Sequence, residues 1–424
     1  MKNLIKICIF ILLSSNLFSQ SAKLIELQAC LDAAVKTHPL SAKKELLNNS
    51  LSTQKALTKK STLPSISWNG RAKIQSESIG LSFDNPNIPS IEIPLYSAQS
   101  TLDLQYTVYN GGLAGKQNAL NSSITAAQIN QLEIEIDKIK QELVESYLSV
   151  LFSDEKDKIL KNSLDRIRIN LARVQSALKM GVANKEDLLQ MKIREKEIEN
   201  EIFANQQDKL AQIKVLEQIT GISMDENIQL ILPQIQKFNI DGDIIRKEMS
   251  GFELEKEILD GQVKMIELQQ KPKVFAFATA GTGYPNPLNF FDDNIGLFAM
   301  GGIGFSWQFY DWGKTKAEKK LLQIKQDMIQ IHKLNLEKTL NRYNDNFTVS
   351  INKLSEMIIK ENELIEMREE VASIQKIQVE KGVLLSSEYL NTLNEITASK
   401  IKLSSYDLQM IRLKLQYQLI KGKI

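Results

Sequence analysis

The sequence predicts a mainly α protein with a smaller β component, built as long antiparallel helix pairs, each preceded by two strands, with the whole plan used twice. Three observations carry this. Two stretches lack both helix-breaking residue types: all nine prolines lie elsewhere, Gly181 is the only glycine between Gly115 and Gly221, and Gly382 the only one between Gly313 and Gly422. Each stretch therefore reads as two long helices broken once. Ahead of each stretch, apolar and polar residues alternate with the period of a strand, in Thr101–Val108 and again from Ile303 through Phe305 and Trp307 to Phe309. Finally, Tyr109-Asn110-Gly111-Gly112 is echoed by Tyr310-Asp311-Trp312-Gly313, Lys179-Met180-Gly181-Val182 by Glu380-Lys381-Gly382-Val383, and Ile219-Thr220-Gly221 by Ile420-Lys421-Gly422, always at an offset of 201 residues. A constant offset across separate signatures points to an internal two-fold repeat.

In chain order, Lys2 and Lys6 precede an apolar run from Ile7 to Leu13 and a small polar exit at Ser19-Gln20, the pattern of a signal peptide over 1–20. Residues 21–222 form repeat 1: a helix holding His38-Pro39, a weaker strand from Ile66 to Ser76 with Trp68 and Ile74 on one face, the strand Thr101–Val108, and a long helix pair. Leu160, Leu164, Ile167, Leu171, Val174 and Leu178 recur at steps of four and three, which is a heptad seam. A helix over 112–180 rises on the order of 100 Å at ~1.5 Å per residue, so a rod or tube is expected. Residues 223–250 read as a linker, and 251–424 as repeat 2, whose first strand is Val274–Thr282 with Phe275 and Phe277. Loops rich in Pro, Asn and Gly, Asp84–Pro94 and Tyr284–Asn294, separate the members of each strand pair.

Charge and composition exclude several classes. The 53 Lys and Arg balance 51 Asp and Glu almost fully, and removing the signal with its two lysines leaves a neutral chain. A nucleic-acid binder held by a basic field is thereby argued against. Cys8 leaves with the signal, so Cys30 stands alone, no disulfide forms within one chain, and a small buried hydrophobe is the expected role. After the signal no apolar run approaches the ~20 residues of a spanning helix, so any membrane entry is by strands. All three tryptophans, Trp68, Trp307 and Trp312, fall in or beside the strands. Together with Tyr106, Tyr109, Phe309 and Tyr310 they fit the interfacial girdle of an outer-membrane barrel, although the same alternation also fits a half-buried sheet of a soluble domain. Four strands cannot close a barrel, whose smallest examples have about eight, so several chains would have to pool theirs. No catalytic motif, cofactor or metal site is read: His38 and His332 are far apart in sequence, and neither lies in a His-Glu-x-x-His pattern.

At this point the arrangement resembles the TolC-type outer membrane efflux protein family. The likeness covers essentially the whole mature chain and rests on His38-Pro39, Leu63-Pro64 before the first strand, the Tyr-Asn-Gly-Gly and Tyr-Asp-Trp-Gly strand exits, the Gly181 and Gly382 turns with an acid six positions later, and Leu216 to Gly221. The resemblance implies a homotrimer in the outer membrane, extending into the periplasm, whose twelve strands, four per chain, form one β-barrel continued by a periplasmic α-barrel. It implies a passive exit duct without enzymatic activity, docked to a periplasmic membrane-fusion adaptor and an inner-membrane transporter of the RND or ABC type. The cargo, drug, metal or protein, is set mostly by those partners. In such proteins a C-terminal extension packs around the tube's equator; here Ile424 directly follows the last helix, and residues 222–250, Pro233 among them, are expected to supply part of that belt.

The resemblance also assigns roles. The turns at Gly181-Val182 and Gly382-Val383 are the tips where the helices reverse, remote from the barrel, and where the adaptor docks; as helix C-caps they need the backbone freedom of glycine in any case. Glu388 matches a position that points into the tunnel mouth, where three copies make an acidic ring favouring cations, with Asn391 at the next lumen-facing place. Without the resemblance, Glu388 reads as a solvated surface acid. Asp187 matches a position that some members link to a tyrosine and an arginine across the mouth; here Val379 and Leu384 stand at those places, so a polar latch of that design is not expected. The rival reading is a secreted coiled-coil structural or adhesion protein, which accounts for the heptads and the signal but not for strands ahead of both helix pairs.

Overall fold

The structure, a computed structural model, describes residues 24–78, 80–81, 91–92, 94–181, 184–226, 228–233, 246–289 and 292–420. The expected signal peptide, Val182, most of the loop 84–94 and residues 234–245 of the linker lie outside them. The elements are β1 (Leu24–Ile25), α1 (Leu27–Thr37), α2 (Pro39–Lys60), β2 (Ser65–Ile74), β3 (Gly80–Leu81), β4 (Ile91–Glu92), β5 (Tyr96–Tyr109), α3 (Leu113–Lys179), α4 (Lys185–Thr220), β6 (Gln229–Leu230), α5 (Lys247–Gln269), β7 (Lys273–Tyr284), β8 (Gly296–Ser306), α6 (Lys314–Glu380) and α7 (Ser386–Ile420). The paired helices match in length, 67 residues for both α3 and α6, 36 for α4 and 35 for α7. The helix expected at the start is two helices, because His38 is extended (φ −66°, ψ 134°) ahead of Pro39, whose ring disfavours helical geometry in the preceding residue.

The chain divides into two compact units. One holds the chain up to Ala42, Leu132–Lys247 and Glu337–Ile424; the other holds Lys43–Gln131 and Glu248–Leu336. In the first unit, one core gathers Cys30, Leu31 and Ala34 of α1 with Leu143, Val144, Tyr147 and Leu148 of α3 and Ile213 and Leu216 of α4. The short parallel pair β1–β6 closes this core, and the Tyr147 hydroxyl reaches the carbonyls of Ile25 (2.8 Å) and Ile231 (2.7 Å) on either side of it. Burial pushes the Cys30 thiol up to about 11, so it is packed as a hydrophobe rather than poised as a nucleophile. A second core joins the two helix pairs: Leu160, Leu164, Ile167 and Val174 of α3 and Met191 and Ile198 of α4 meet Ala372 of α6 and Leu390, Leu393 and Ile396 of α7.

The second unit is organised by an antiparallel sheet of order β2-β5-β7-β8. Its last strand ends at Ser306, so Trp307 and Phe309, expected within it, follow it instead. The reason lies in the partner strand: Ser306 pairs with Lys273, and Pro272 before it has no N–H to continue the ladder. The two echoed strand exits are tight corners into a helix. Asn110 Oδ1 accepts from the Leu113 N–H (3.1 Å), and Asp311 accepts from the N–H groups of Gly313 (3.0 Å) and Thr315 (2.9 Å), so each side chain caps the helix that follows. Both corners need two residues at positive φ, supplied by Gly111 and Gly112 in one and by Trp312 (φ 56°) and Gly313 in the other.

Candidate functional site

Two places carry the sequence-predicted residues. The first is the sheet, whose register sorts its side chains because successive residues point to opposite faces. Ile66, Trp68 and Ile74 of β2, Leu102, Leu104, Tyr106 and Val108 of β5, and Leu297, Ile303 and Phe305 of β8 share one face. Every one of these is exposed, from 37% for Leu104 to 88% for Leu297, which makes a continuous apolar surface far larger than scattered surface hydrophobes account for. The opposite face holds Asn69, Arg71 and Lys73, then Gln99, Thr101, Asp103 and Gln105, and beyond them Lys273 and Thr279. All four charged residues of these strands thus lie on one side.

Asp103 is the only acid among them. Its Oδ1 accepts from Thr279 Oγ1 (2.6 Å), and its Oδ2 from Asn69 Nδ2 (2.7 Å) and Thr101 Oγ1 (2.9 Å). Three strands are joined at this carboxylate, and every donor is neutral. Farther along the same face the rings of Phe277 and Phe275 lie over Gly302 and Gly304, where a Cβ would meet ring atoms at 3.0 and 2.5 Å. The register puts Trp68 opposite Leu102, midway along β5, whereas Tyr106, Tyr109, Trp307, Phe309, Tyr310 and Trp312 gather at the strand ends that lead into the helices. At the other end Tyr96 and Tyr284 stack with ring centroids 5.3 Å apart, a pair that sequence reasoning missed.

The second place is the pair of helix turns in the first unit. Gly181 (φ 78°) and Gly382 (φ 71°) are both left-handed, as a helix reversal requires, and the Val383 N–H returns to the Gln378 carbonyl at 2.9 Å. Met180 (72%), Val383 (76%) and Leu385 (60%) project as exposed apolar side chains at these turns. Asp187 is engaged locally: Asn184 Oδ1 accepts from the Asp187 N–H at 2.8 Å, and the Asp187 carboxylate faces the Asn184 N–H at 3.5 Å, a capping box. That signal stood in the sequence as Asn184-x-x-Asp187. Asp187, Val379 and Leu384 are among the residues that line one cleft of ≈ 420 Å³. A polar link at this cleft is Arg173 Nη1 to Glu380 Oε1 at 3.2 Å, which ties α3 to α6 and had no sequence signal beyond opposite charge. Glu388 and Asn391 lie one turn apart on α7, both exposed.

Among the described residues, no helix is long and apolar enough to cross a membrane, and no group of three His, Cys, Asp or Glu side chains is placed to hold a metal ion. No protein-family model and no curated protein sequence matches the chain. Solved structures do. The outer membrane protein VceC of Vibrio cholerae aligns with a TM-score of 0.71 at 13% identity over 93% of this chain and 96% of its own. The outer membrane channel CmeC of Campylobacter jejuni gives 0.71 at 12% over 94% and 85%, and the outer-membrane channel OprN gives 0.73 at 14% over 94% and 90%. These matches run through strands and helix pairs alike and so concern the whole architecture. The chain therefore has the fold of the TolC-type outer membrane channels.

Proposed function

We propose that the chain is the outer-membrane exit duct of a tripartite efflux or type I secretion system, passively exporting what an inner-membrane pump of the RND or ABC type and a periplasmic adaptor hand to it. The observation that carries this is the sheet. One face is largely apolar and the other carries every charged residue of the four strands, which run 10 to 14 residues, and the outer strands β2 and β8 have no partner on their far side among the described residues. Strands of about ten residues with alternating faces are what a bilayer-spanning barrel uses. Four cannot close, and an open edge in lipid leaves backbone groups unsatisfied, so β8 of one copy pairs with β2 of the next until three copies make twelve strands. On this reading the apolar face meets lipid, the polar face lines the duct, and the aromatic side chains at the strand ends sit at the membrane interface.

The matching helix lengths and the offset of 201 support duplication of one ancestral half. The helix turns form the mouth, where Gly181, Val182, Gly382 and Val383 present the tip to the adaptor and Glu388 and Asn391 line the opening. Residues 222–250 contribute to an equatorial belt, of which Met224, Ile228 and Leu230 are packed into the first core. The duct performs no chemistry of its own and needs no cofactor. The deciding experiment is extraction of the protein from outer membranes followed by mass determination in detergent. A membrane-extracted trimer supports the duct; a monomer or dimer that stays in water without detergent overturns it and leaves the secreted coiled-coil protein in front.

A further inference from the structure

The polar face of the sheet holds an arrangement that the transport reading leaves unused. The three donors to Asp103, from Thr279, Asn69 and Thr101, are neutral, and among the described residues no Lys or Arg is bonded to its carboxylate. An ionised carboxylate offers about four acceptor directions, and three are taken. One remaining direction gives a hard metal ion, which takes six or more oxygens, a single contact to this carboxylate. A bulky cation that is attracted by the charge alone has no such requirement.

The neighbours on this face suit that kind of cation. Thr279 stands between Asp103 and Met300 in the register, and Phe277 lies one step farther along β7 on the same side. Phe277 is 38% and Met300 46% exposed, so both side chains are partly open on this face, the Phe277 ring resting with one side on Gly302. An aromatic face attracts cations, and methionine packs against aromatic and aliphatic bodies of varied shape. Neighbouring strands are ~4.8 Å apart, so the carboxylate, the ring and the thioether lie within the span of one amphiphilic molecule.

We propose that Asp103, Phe277 and Met300 form a station on the duct wall that binds organic cations, molecules carrying a positive charge on an aromatic or aliphatic body, as they leave. This rests on the reading of the polar face as the interior of a trimeric barrel. It extends that reading by naming a substrate class for the strand section. The Asp103 bonds also brace three strands, so the test must separate binding from bracing.

The test is single-channel recording of the purified trimer in a planar bilayer, with tetraphenylphosphonium as the probe and the tetraphenylborate anion as its same-shaped control. The phosphonium is expected to interrupt the current of the parent channel, and Asp103→Asn to weaken that block about fivefold, as loss of one screened unit charge at contact implies. Phe277→Leu leaves every Asp103 bond in place and is expected to weaken the block as well, which a bracing role does not anticipate; it also carries the test should Asp103→Asn fail to assemble. Block by tetraphenylborate is expected to be no weaker in Asp103→Asn than in the parent. Equal phosphonium block in parent, Asp103→Asn and Phe277→Leu overturns the station, as does block abolished by Glu388→Gln alone. Absence of any conducting trimer instead overturns the duct on which the proposal stands.

Discussion

The two helix pairs, related by the offset of 201, are held together by different chemistry. In the first, the seam is apolar: Leu160, Ile167 and Ile198 are 0–1% exposed and Val174 5%. At the matching places the second pair has Glu361, Arg368, Ser399 and Gln375. Glu361, only 4% exposed, is met by Lys402 at 2.8 Å, Arg368 reaches Ser399 and Glu395, and the buried Gln375 Oε1 has no hydrogen-bond partner among the described residues. On the flank, by contrast, the chemistry is kept with the signs exchanged, Arg168 with Glu199 in one pair and Glu369 with Lys400 in the other. An apolar seam cannot admit water without losing its burial energy, whereas a polar seam can trade protein partners for water. At these matching places the second pair should therefore admit water more readily than the first.

The largest effect expected from this contrast is at the seams themselves. Leu160→Ala should lower stability by ~2–5 kcal/mol, since a fully buried leucine is replaced by a cavity. Glu361→Leu at the matching place should leave stability close to that of the parent, because a buried carboxylate gives way to packing while Lys402, already half-exposed, turns to water. Chemical unfolding of the detergent-solubilised protein measures both; equal losses in the two variants would break the comparison.

Acid should next divide the pairs. Burial works to raise the Glu361 carboxyl, but bonds from Lys402 and Ser399 outweigh it and hold the carboxyl below its ordinary value of 4.5. A carboxyl lowered on folding adds stability that is complete above its ordinary value and is lost as the pH falls through the lowered one. Amide protection in α6 and α7 near Glu361 should therefore drop below about pH 4.5, relative to α3 and α4, where the matching place holds the buried Leu160. Parallel loss in both pairs would mean that the ion pair does not hold the second seam.

A smaller effect is expected at the turns. Asn184→Ala removes the side chain that accepts the Asp187 N–H, at a cost of ~1 kcal/mol and with earlier exchange at the start of α4. The matching residue of the second turn is Leu385, 60% exposed and no cap, so Leu385→Ala should stay within ~0.5 kcal/mol.

The first long helix was legible to within a residue because absence of Gly and Pro is a long-range signal: 112–180 was expected and Leu113–Lys179 is found. Three of four strands followed from alternation; the fourth ran early because its limit is set by Pro272 on its neighbour, which its own pattern does not contain. The first seam was legible as heptads. The second was not, since Glu361 and Arg368 look like solvated helix surface until α7, some forty residues on, brings Lys402 and Ser399 against them. The same holds for Asp103, whose donors come from two other strands. Turn residues such as Gly181 and Gly382 were readable because positive φ is a local demand.

The smallest change in stability, and the sharpest in function, is expected where the offset of 201 places two acids in different surroundings. Asp187 is turned back onto Asn184, half-buried, and lines the cleft beside Val379 and Leu384. Glu388 occupies the corresponding third position of α7, but its partner residue is Leu385, which offers a backbone carbonyl to the Glu388 N–H at 3.2 Å and nothing to its carboxylate. One acid holds a turn together, whereas the other is an exposed charge close to the turn. In the proposed trimer three copies of Glu388 raise the local cation concentration at the mouth, within the ~8 Å reach that physiological salt permits. Glu388→Gln should therefore lower cation preference in reversal-potential measurements, more at low salt than at high, while leaving thermal stability unchanged. Asp187→Asn should do the reverse, weakening the turn with little change in selectivity; a selectivity shift from Asp187→Asn that equals or exceeds that of Glu388→Gln would assign the mouth charge to the first helix pair.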